Sequence, residues 1–163
     1  MHGSMRKSLL LSLFGLLFSA QSFAAVLHFY SNPRVPQPLF HVTLEYKSYV
    51  YEADTREGGR RVPAHHLPAG HIRVEIPDEL VNEQALLGQM GLPFDYNFVW
   101  DNQKTYCSKL VGIALNMKPL PMSFAGTHYV KYYPDWIHRN DPGISPDQIL
   151  EFGLEHGLQI YPQ

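Results

Sequence analysis

Runs of apolar residues divide the chain into short strands and helices. Residues 40–53 are dense in β-branched and aromatic side chains on either side of a polar break at Lys47-Ser48, which predicts a β-hairpin. Residues 71–76 alternate between apolar and polar side chains, which predicts a further strand. The glycine- and arginine-rich run 58–61 between them is typical of a loop.

Two helices are predicted in the middle of the chain. Residues 77–90 are expected to form the first, which Gly91 would stop. After an aromatic connector at residues 94–100, a second helix is predicted to begin at Cys107. Its apolar residues recur at helical spacing on one face: Cys107, Leu110, Val111, Ala114 and Leu115.

The C-terminal part combines a long loop, a helix and a closing strand. Residues 118–136 are rich in proline and aromatic residues and predict a loop, which either lines a substrate groove or packs over the sheet. Ser145, followed by proline, is typical of a helix N-cap, and that helix is expected to end near Gly153 or Gly157. Residues 158–161 can close the sheet as an edge strand.

The first 24 residues have the pattern of a cleavable export signal. A basic start at residues 5–7 precedes an apolar run at residues 8–18, and small residues at Ser22 and Ala24 stand where a signal peptidase reads the chain. The apolar run is too short for a transmembrane helix. We therefore predict a signal peptide at residues 1–24 and one domain at residues 25–163.

Charge and composition narrow the function classes. The chain has 13 Lys and Arg against 15 Asp and Glu, and removing Arg6 and Lys7 with the leader leaves 11 against 15, a net charge of −4. A nucleic-acid partner is not expected, because such proteins carry clustered basic residues. No stable membrane anchor is expected either, so the predicted location is the periplasm or the outside of the cell. The sequence leaves the oligomeric state open.

Cys107 is the only cysteine of the chain, and it follows the predicted export signal. Exported proteins usually pair their cysteines or lack them. A thiol at the start of a helix lies near unpaired backbone N–H groups and the positive end of the helix dipole, both of which favour a thiolate. An inert buried thiol is the alternative interpretation. In this context we favour a nucleophile.

A cysteine nucleophile needs an imidazole base and a polar group that orients it. The predicted hairpin offers His41 on one strand and Glu52 on the other. A turn centred on Tyr46 and Lys47 would place them directly opposite each other, and a shift of one residue would make the pair diagonal. Glu45 on the same hairpin is a competing carboxylate.

These segments together resemble the circularly permuted NlpC-type papain-like cysteine hydrolases, in particular their YiiX-like branch. The resemblance rests on residues 41–46 with 50–53, on residues 91–98 followed by 106–111, and on residues 144–149, and it spans roughly residues 38–160. Two positions differ from the pattern: Lys109 replaces a common acidic residue, and Phe94 replaces a tyrosine.

The resemblance implies an α+β fold in which an antiparallel sheet packs against helices and the nucleophile begins a helix. It implies Cys107 as nucleophile, His41 as general base and Glu52 as the residue that orients His41. The family attacks amide or ester bonds. We therefore expect an exported hydrolase of cell-wall or other small peptides. A lipid or acyl-ester hydrolase or acyltransferase with the same triad is the alternative, and an inactive binding module is a second.

Two further features have both a functional and a structural interpretation. Tyr96 could donate a hydrogen bond to an oxyanion beside the Cys107 N–H, or pack in the core as part of an aromatic run. His65, His66 and His71 suggest a metal cluster, but their spacing is not that of a zinc site and no second cysteine is present. We expect no metal and no cofactor.

Overall fold

The protein is described by a computed structural model that covers residues 23–31, 39–67, 72–121, 141–156 and 160–162. The strands in chain order are β1 (Phe23–Ser31), β2 (Leu39–Tyr46), β3 (Tyr49–Asp54), β4 (Gly58–Pro63), β5 (Ile72–Pro77), β6 (Leu120–Pro121), β7 (Pro142–Gly143) and β8 (Ile160–Pro162). The helices are α1 (Glu83–Leu87), α2 (Cys107–Ala114) and α3 (Pro146–Glu155).

Six strands form one antiparallel sheet in the order β4-β3-β2-β1-β5-β8, and β6 and β7 form a separate pair. The structure is therefore the mixed α+β arrangement that the resemblance implies. The central strand β1 was not predicted. Its segment is buried along most of its length, so it lacks the apolar and polar alternation by which a half-buried strand is recognised.

The predicted hairpin is strands β2 and β3. Lys47 and Ser48 form its two-residue turn with φ angles of 49° and 67°, as in the turns whose twist matches that of paired strands. The pairing Tyr46↔Tyr49 fixes the register. The turn is thus centred one residue later than in the directly opposed alternative.

The hydrophobic core lies between one face of the sheet and helix α2. Alternate residues of β1 and β2 point to this face, including Leu27, Phe29, Val42 and Leu44, all fully buried. The helix contributes Leu110, Val111 and Ala114 to the same cluster. Burying these side chains from both layers fixes the position of α2 on the sheet.

Residues 58–61 are part of strand β4, so the prediction of a loop there is wrong. The glycines allow the backbone of β4 to lie close to the backbone of residues 89–92. Gly59 donates its N–H to the Leu92 carbonyl at 2.8 Å, and a Cβ on Gly59 would lie 2.0 Å from the Gln89 carbonyl oxygen. This tertiary contact, which leaves no local signal, explains why the sequence favoured a loop.

The helix predicted for residues 77–90 is shorter than expected. Asp78–Leu80 form a 3₁₀ turn, and α1 begins only at Glu83 because the Asn82 side chain caps it by accepting from the Ala85 N–H at 3.0 Å. Gly91 lies beyond the helix with a φ of 78°, in the chain reversal that follows.

The C-terminal elements agree with the sequence where they are described. The Ser145 side chain accepts from the Gln148 N–H and the Gln148 side chain returns to the Ser145 N–H, which is a capping box at the start of α3. Strand β8 lies at the edge of the sheet beside β5. Of the loop predicted at residues 118–136, only residues 118–121 are described, and Leu120–Pro121 form strand β6. Residues 122–136 lie outside the described residues, as do residues 1–22 of the predicted signal peptide.

Candidate functional site

Cys107 is the first residue of helix α2. Tyr106 before it has extended backbone angles and occupies the N-cap position. The Cys107 residue is only 7% exposed, and its thiol is free. Its position at a buried helix start is the one that the sequence indicated.

The start of α2 lies where strands β2 and β3 separate. Their pairing ends at Leu44↔Tyr51, although β2 continues back to Leu39 and β3 continues to Asp54. In this separated part of β2, the Val42 N–H hydrogen-bonds to the Cys107 sulfur. Because β2 and β3 are separated here, the Cys107 sulfur on helix α2 reaches β2, the strand that carries His41.

His41 contacts both other members of the predicted triad. Its Nε2 lies 3.4 Å from Glu52 Oε2, and its ring also hydrogen-bonds to Cys107. Because Nε2 faces the carboxylate, Nδ1 is the ring nitrogen left for the sulfur. The Tyr30 ring packs against the imidazole with a centroid separation of 5.4 Å.

The contacts of His41 favour an ion pair with Cys107. Burial on its own lowers the pKa of His41, but hydrogen bonds to Cys107 and Glu52 and their negative charge outweigh it and raise this pKa to about 10. Burial likewise raises the pKa of Cys107, and the imidazolium with the N–H groups of Val42 and Ser108 brings it below its ordinary value. Thiolate and imidazolium therefore stabilise each other.

Glu52 is held from two sides. Arg60 on the paired strand β4 donates from Nε at 2.8 Å and from Nη2 at 2.5 Å to Glu52 Oε1, which leaves Oε2 for His41. Although burial raises the pKa of Glu52, His41 and Arg60 lower it below its ordinary value overall. Sequence reasoning missed Arg60, because its segment was assigned to a loop and only the register Glu52↔Arg60 reveals the pairing.

The competing carboxylate Glu45 has a different partner. The register places Glu45 on the same face of the sheet as His41 and Glu52, but four residues along β2 from the histidine, roughly 13 Å at strand spacing. There it accepts a hydrogen bond from His28 Nε2 at 2.9 Å. Burial lowers the pKa of His28 despite this contact, which favours a neutral imidazole. The structure thus brings Glu52 and not Glu45 to His41, in the diagonal arrangement.

Tyr96 occupies neither of the two predicted positions. It is 56% exposed, so its placement in the core is wrong. Its hydroxyl donates to the Thr55 carbonyl at 2.6 Å, and its ring packs against Phe94. The single hydroxyl proton is therefore used away from Cys107, which disfavours the oxyanion role.

Lys109, two residues after the cysteine, is fully buried. Its Nζ donates to the carbonyls of Val99 at 2.9 Å and Lys104 at 2.7 Å, and Asp101 Oδ1 lies 3.6 Å away. Burial lowers the pKa of this amine. The lysine thus ties the connector before Cys107 to the first turn of α2.

The histidines that suggested a metal cluster are only partly described. The rings of His65 and His66 contact each other with centroids 4.2 Å apart, and His71 lies outside the described residues. Within the described ranges, no group of three or more His, Cys, Asp or Glu side chains is arranged to hold a metal ion. In those ranges, too, no helix has the length and apolar character needed to cross a membrane.

Fold and site together define an α+β domain with a cysteine, a histidine and a carboxylate in contact at a helix start. The fold is similar to that in the crystal structure of the metalloprotein YiiX from Escherichia coli O157:H7, DUF1105, with a TM-score of 0.55. The two are 15% identical, over 86% of this chain and 96% of that one. The chain therefore has a YiiX-like fold. No protein-family model and no curated protein matches the sequence.

Proposed function

We propose that this protein is an exported cysteine hydrolase of the permuted papain-like type, which cleaves amide bonds in cell-wall or other small peptides. The observation that carries the proposal is the contact of His41 with both Cys107 and Glu52. A nucleophile, a base and a residue that orients the base are the parts that acyl transfer by a thiol requires.

The proposed reaction begins with the thiolate–imidazolium pair. The Cys107 sulfur attacks the carbonyl carbon and forms a tetrahedral oxyanion, which the unpaired N–H groups at the start of α2 stabilise. As the C–N bond breaks, His41 gives its proton to the leaving amine and a thioester remains. Neutral His41 then takes a proton from water, whose oxygen attacks the thioester. The acid is released and the thiolate–imidazolium pair is restored.

Glu52 contributes a fixed negative charge to this cycle. It hydrogen-bonds to Nε2 of His41, so Nδ1 stays directed at the sulfur and the imidazolium is stabilised while it exists. The low pKa of Glu52, maintained against burial by His41 and Arg60, keeps this carboxylate ionised at neutral pH.

The motif resemblance at residues 41–53 and 91–111 and the YiiX-like fold support a hydrolase of amide or ester bonds. Peptides are preferred to lipids as substrate because the sequence shows no evident amphipathic anchor for a lipid surface. Export rests on the basic and apolar pattern of residues 1–24. The crystal structure with the similar fold is described as that of a metalloprotein. The proposed reaction uses Cys107, His41 and Glu52.

A product search tests the proposal. Wild type and Cys107→Ala are incubated separately with peptidoglycan fragments and with phospholipids, and released products are identified by mass spectrometry. We expect new peptide fragments, each pair heavier than its parent by one water, with wild type only. If products arise from phospholipids alone, the protein is a lipid or acyl-ester hydrolase and not a peptidase. No product from either substrate would contradict a hydrolase of these two classes and favour a binding module.

A further inference from the structure

Arg60 stands directly across the sheet from Glu52. The pairing Glu52↔Arg60 places both side chains on the face that carries His41. The guanidinium donates twice to a single carboxylate oxygen, Oε1, while Oε2 of the same carboxylate faces His41 Nε2. Each oxygen thus has one partner, and the plane of the carboxylate is fixed by both.

Arg60 is itself fixed by two further carboxylates. Asp54 Oδ2 lies 3.5 Å from Nη2, and Glu57 Oε1 lies 3.1 Å from Nη1. Asp54 is the last residue of β3 and Glu57 lies in the short connection to β4, whose turn is closed by Asp54 accepting the N–H groups of Arg56 and Glu57. The guanidinium therefore reaches Glu52 from an anchored position.

We propose that Arg60 is a positioning residue for the reaction: it orients the Glu52 carboxylate, and through it the His41 imidazole that faces Cys107. This inference rests on the proposed function. The Glu52 side chain is only 8% exposed, so without Arg60 a nearly buried carboxylate would keep one weak contact at 3.4 Å. A buried carboxylate that lacks compensation is driven to rotate toward water or to bind a proton.

The consequence reaches the sulfur through His41. A rotated or protonated Glu52 no longer stabilises the imidazolium, and the thiolate then loses its counter-charge. Loss of the positive guanidinium acts in the same direction, because it also disfavours a nearby anion. Removal of Arg60 should therefore raise the pH at which Cys107 ionises.

The test is the ultraviolet absorbance of the thiolate against pH, measured as the difference between each protein and its Cys107→Ser partner. Arg60→Gln should shift the titration upward by about one pH unit, which corresponds to about tenfold less thiolate on the acid side. Arg60→Lys keeps the charge without the fork of two donors and should shift it less. The matched control is Arg61→Gln: this neighbour on β4 lies over the Tyr49 ring and should leave the titration unchanged.

A double-mutant comparison separates positioning from a structural role. In the Glu52→Gln background, Arg60→Gln should add a clearly smaller shift, since only the direct loss of the guanidinium charge remains and the effect through the carboxylate is already gone. Equal shifts in both backgrounds, or an unchanged titration in Arg60→Gln, would overturn the inference. If Arg60→Gln does not fold, the comparison uses Arg60→Lys. Its upward shift should be smaller in the Glu52→Gln background than in wild type, and an unchanged titration in Arg60→Lys would then overturn the inference. The readout needs no substrate, so it can fail while the product search succeeds, and the reverse.

Discussion

At the scale of single residues, the site depends on which carboxylate His41 contacts. Glu52 and Glu45 lie on the same sheet face, yet only Glu52 is within reach of His41, because Glu45 lies four residues away along β2, where it contacts His28. Glu52→Gln should lower turnover by at least about tenfold, since general acid–base assistance contributes roughly 10²–10⁴-fold and an amide cannot stabilise imidazolium by charge.

The comparison variant is Glu45→Gln. Its amide oxygen can still accept from His28, so we expect turnover near that of wild type and a stability loss of about 1 kcal/mol or less. Turnover on the identified substrate and the melting temperature are measured for both variants. A disabled Glu45→Gln beside a fully active Glu52→Gln would mean that the third member of the triad is wrongly assigned.

At the scale of elements, strand β4 delivers Arg60 only because its glycines allow the chain around Gln89 to approach. Gly59→Ala should lower the free energy of unfolding by about 1–3 kcal/mol. The added Cβ would lie 2.0 Å from the Gln89 carbonyl oxygen, a backbone atom that cannot rotate away as the end of a side chain could. Gly88→Ala is the control: Gly88 has helical angles, and its Cβ would meet nothing closer than 3.4 Å.

Chemical denaturation measures both glycine variants. Gly88→Ala should be neutral or stabilising by up to about 1 kcal/mol, because alanine restricts the unfolded chain more than glycine does. If the two substitutions have equal effects, the close contact between β4 and the 89–92 segment is not what requires glycine at position 59.

Elements defined by local signals were predictable, and elements defined by tertiary contacts were not. The Lys47-Ser48 turn, the Cys107 helix and the Ser145 cap follow from turn chemistry, helical spacing and capping, and each is present. Strand β4 was missed because its glycines are required by a tertiary contact with the backbone of residues 89–92, which is distant in sequence. Part of α1 was overpredicted because acidic residues after proline resemble a helix start, whereas Asn82 provides the cap.

The candidate site, too, was predictable only in part. Residue type and hairpin geometry indicate Cys107 and His41 but leave Glu52 and Glu45 as alternatives, and the choice of Glu52 came with the family resemblance. Arg60 could not be predicted, since nothing local links it to Glu52. The burial of Lys109 was also unexpected, because an amine at a helix surface is usually solvated. The carbonyls of Val99 and Lys104 and the carboxylate of Asp101 compensate for its burial here.

At the scale of the whole molecule, the ion pair links the stability of the fold to pH. The pKa of His41 is raised from 6.5 to about 10, so its contribution is complete below about 6.5 and is lost as the pH rises through about 10. The pKa of Cys107 is lowered, so its contribution has the opposite sign and is complete above its ordinary value of about 8.5.

Below about 8.5, the gain from Cys107 offsets part of the loss from His41, and above about 8.5 the loss from His41 remains alone. We therefore expect the melting-temperature advantage of wild type over His41→Gln to shrink as the pH rises from about 8.5 to beyond about 10. Calorimetry across this range measures it. An advantage that grows with pH there would mean that His41 is not charged in the folded protein.

The central claim, a thiolate at Cys107 supported by His41, is tested most directly by the thiolate absorbance of the folded protein against pH. Subtracting the Cys107→Ser spectrum removes the tyrosine signal, and the measurement does not depend on reagent access to a buried sulfur. Wild type should ionise well below about 8.5, and His41→Ala should move the titration up to about that value or higher. A wild-type titration at or above about 8.5, or one that His41→Ala leaves unchanged, would contradict the account.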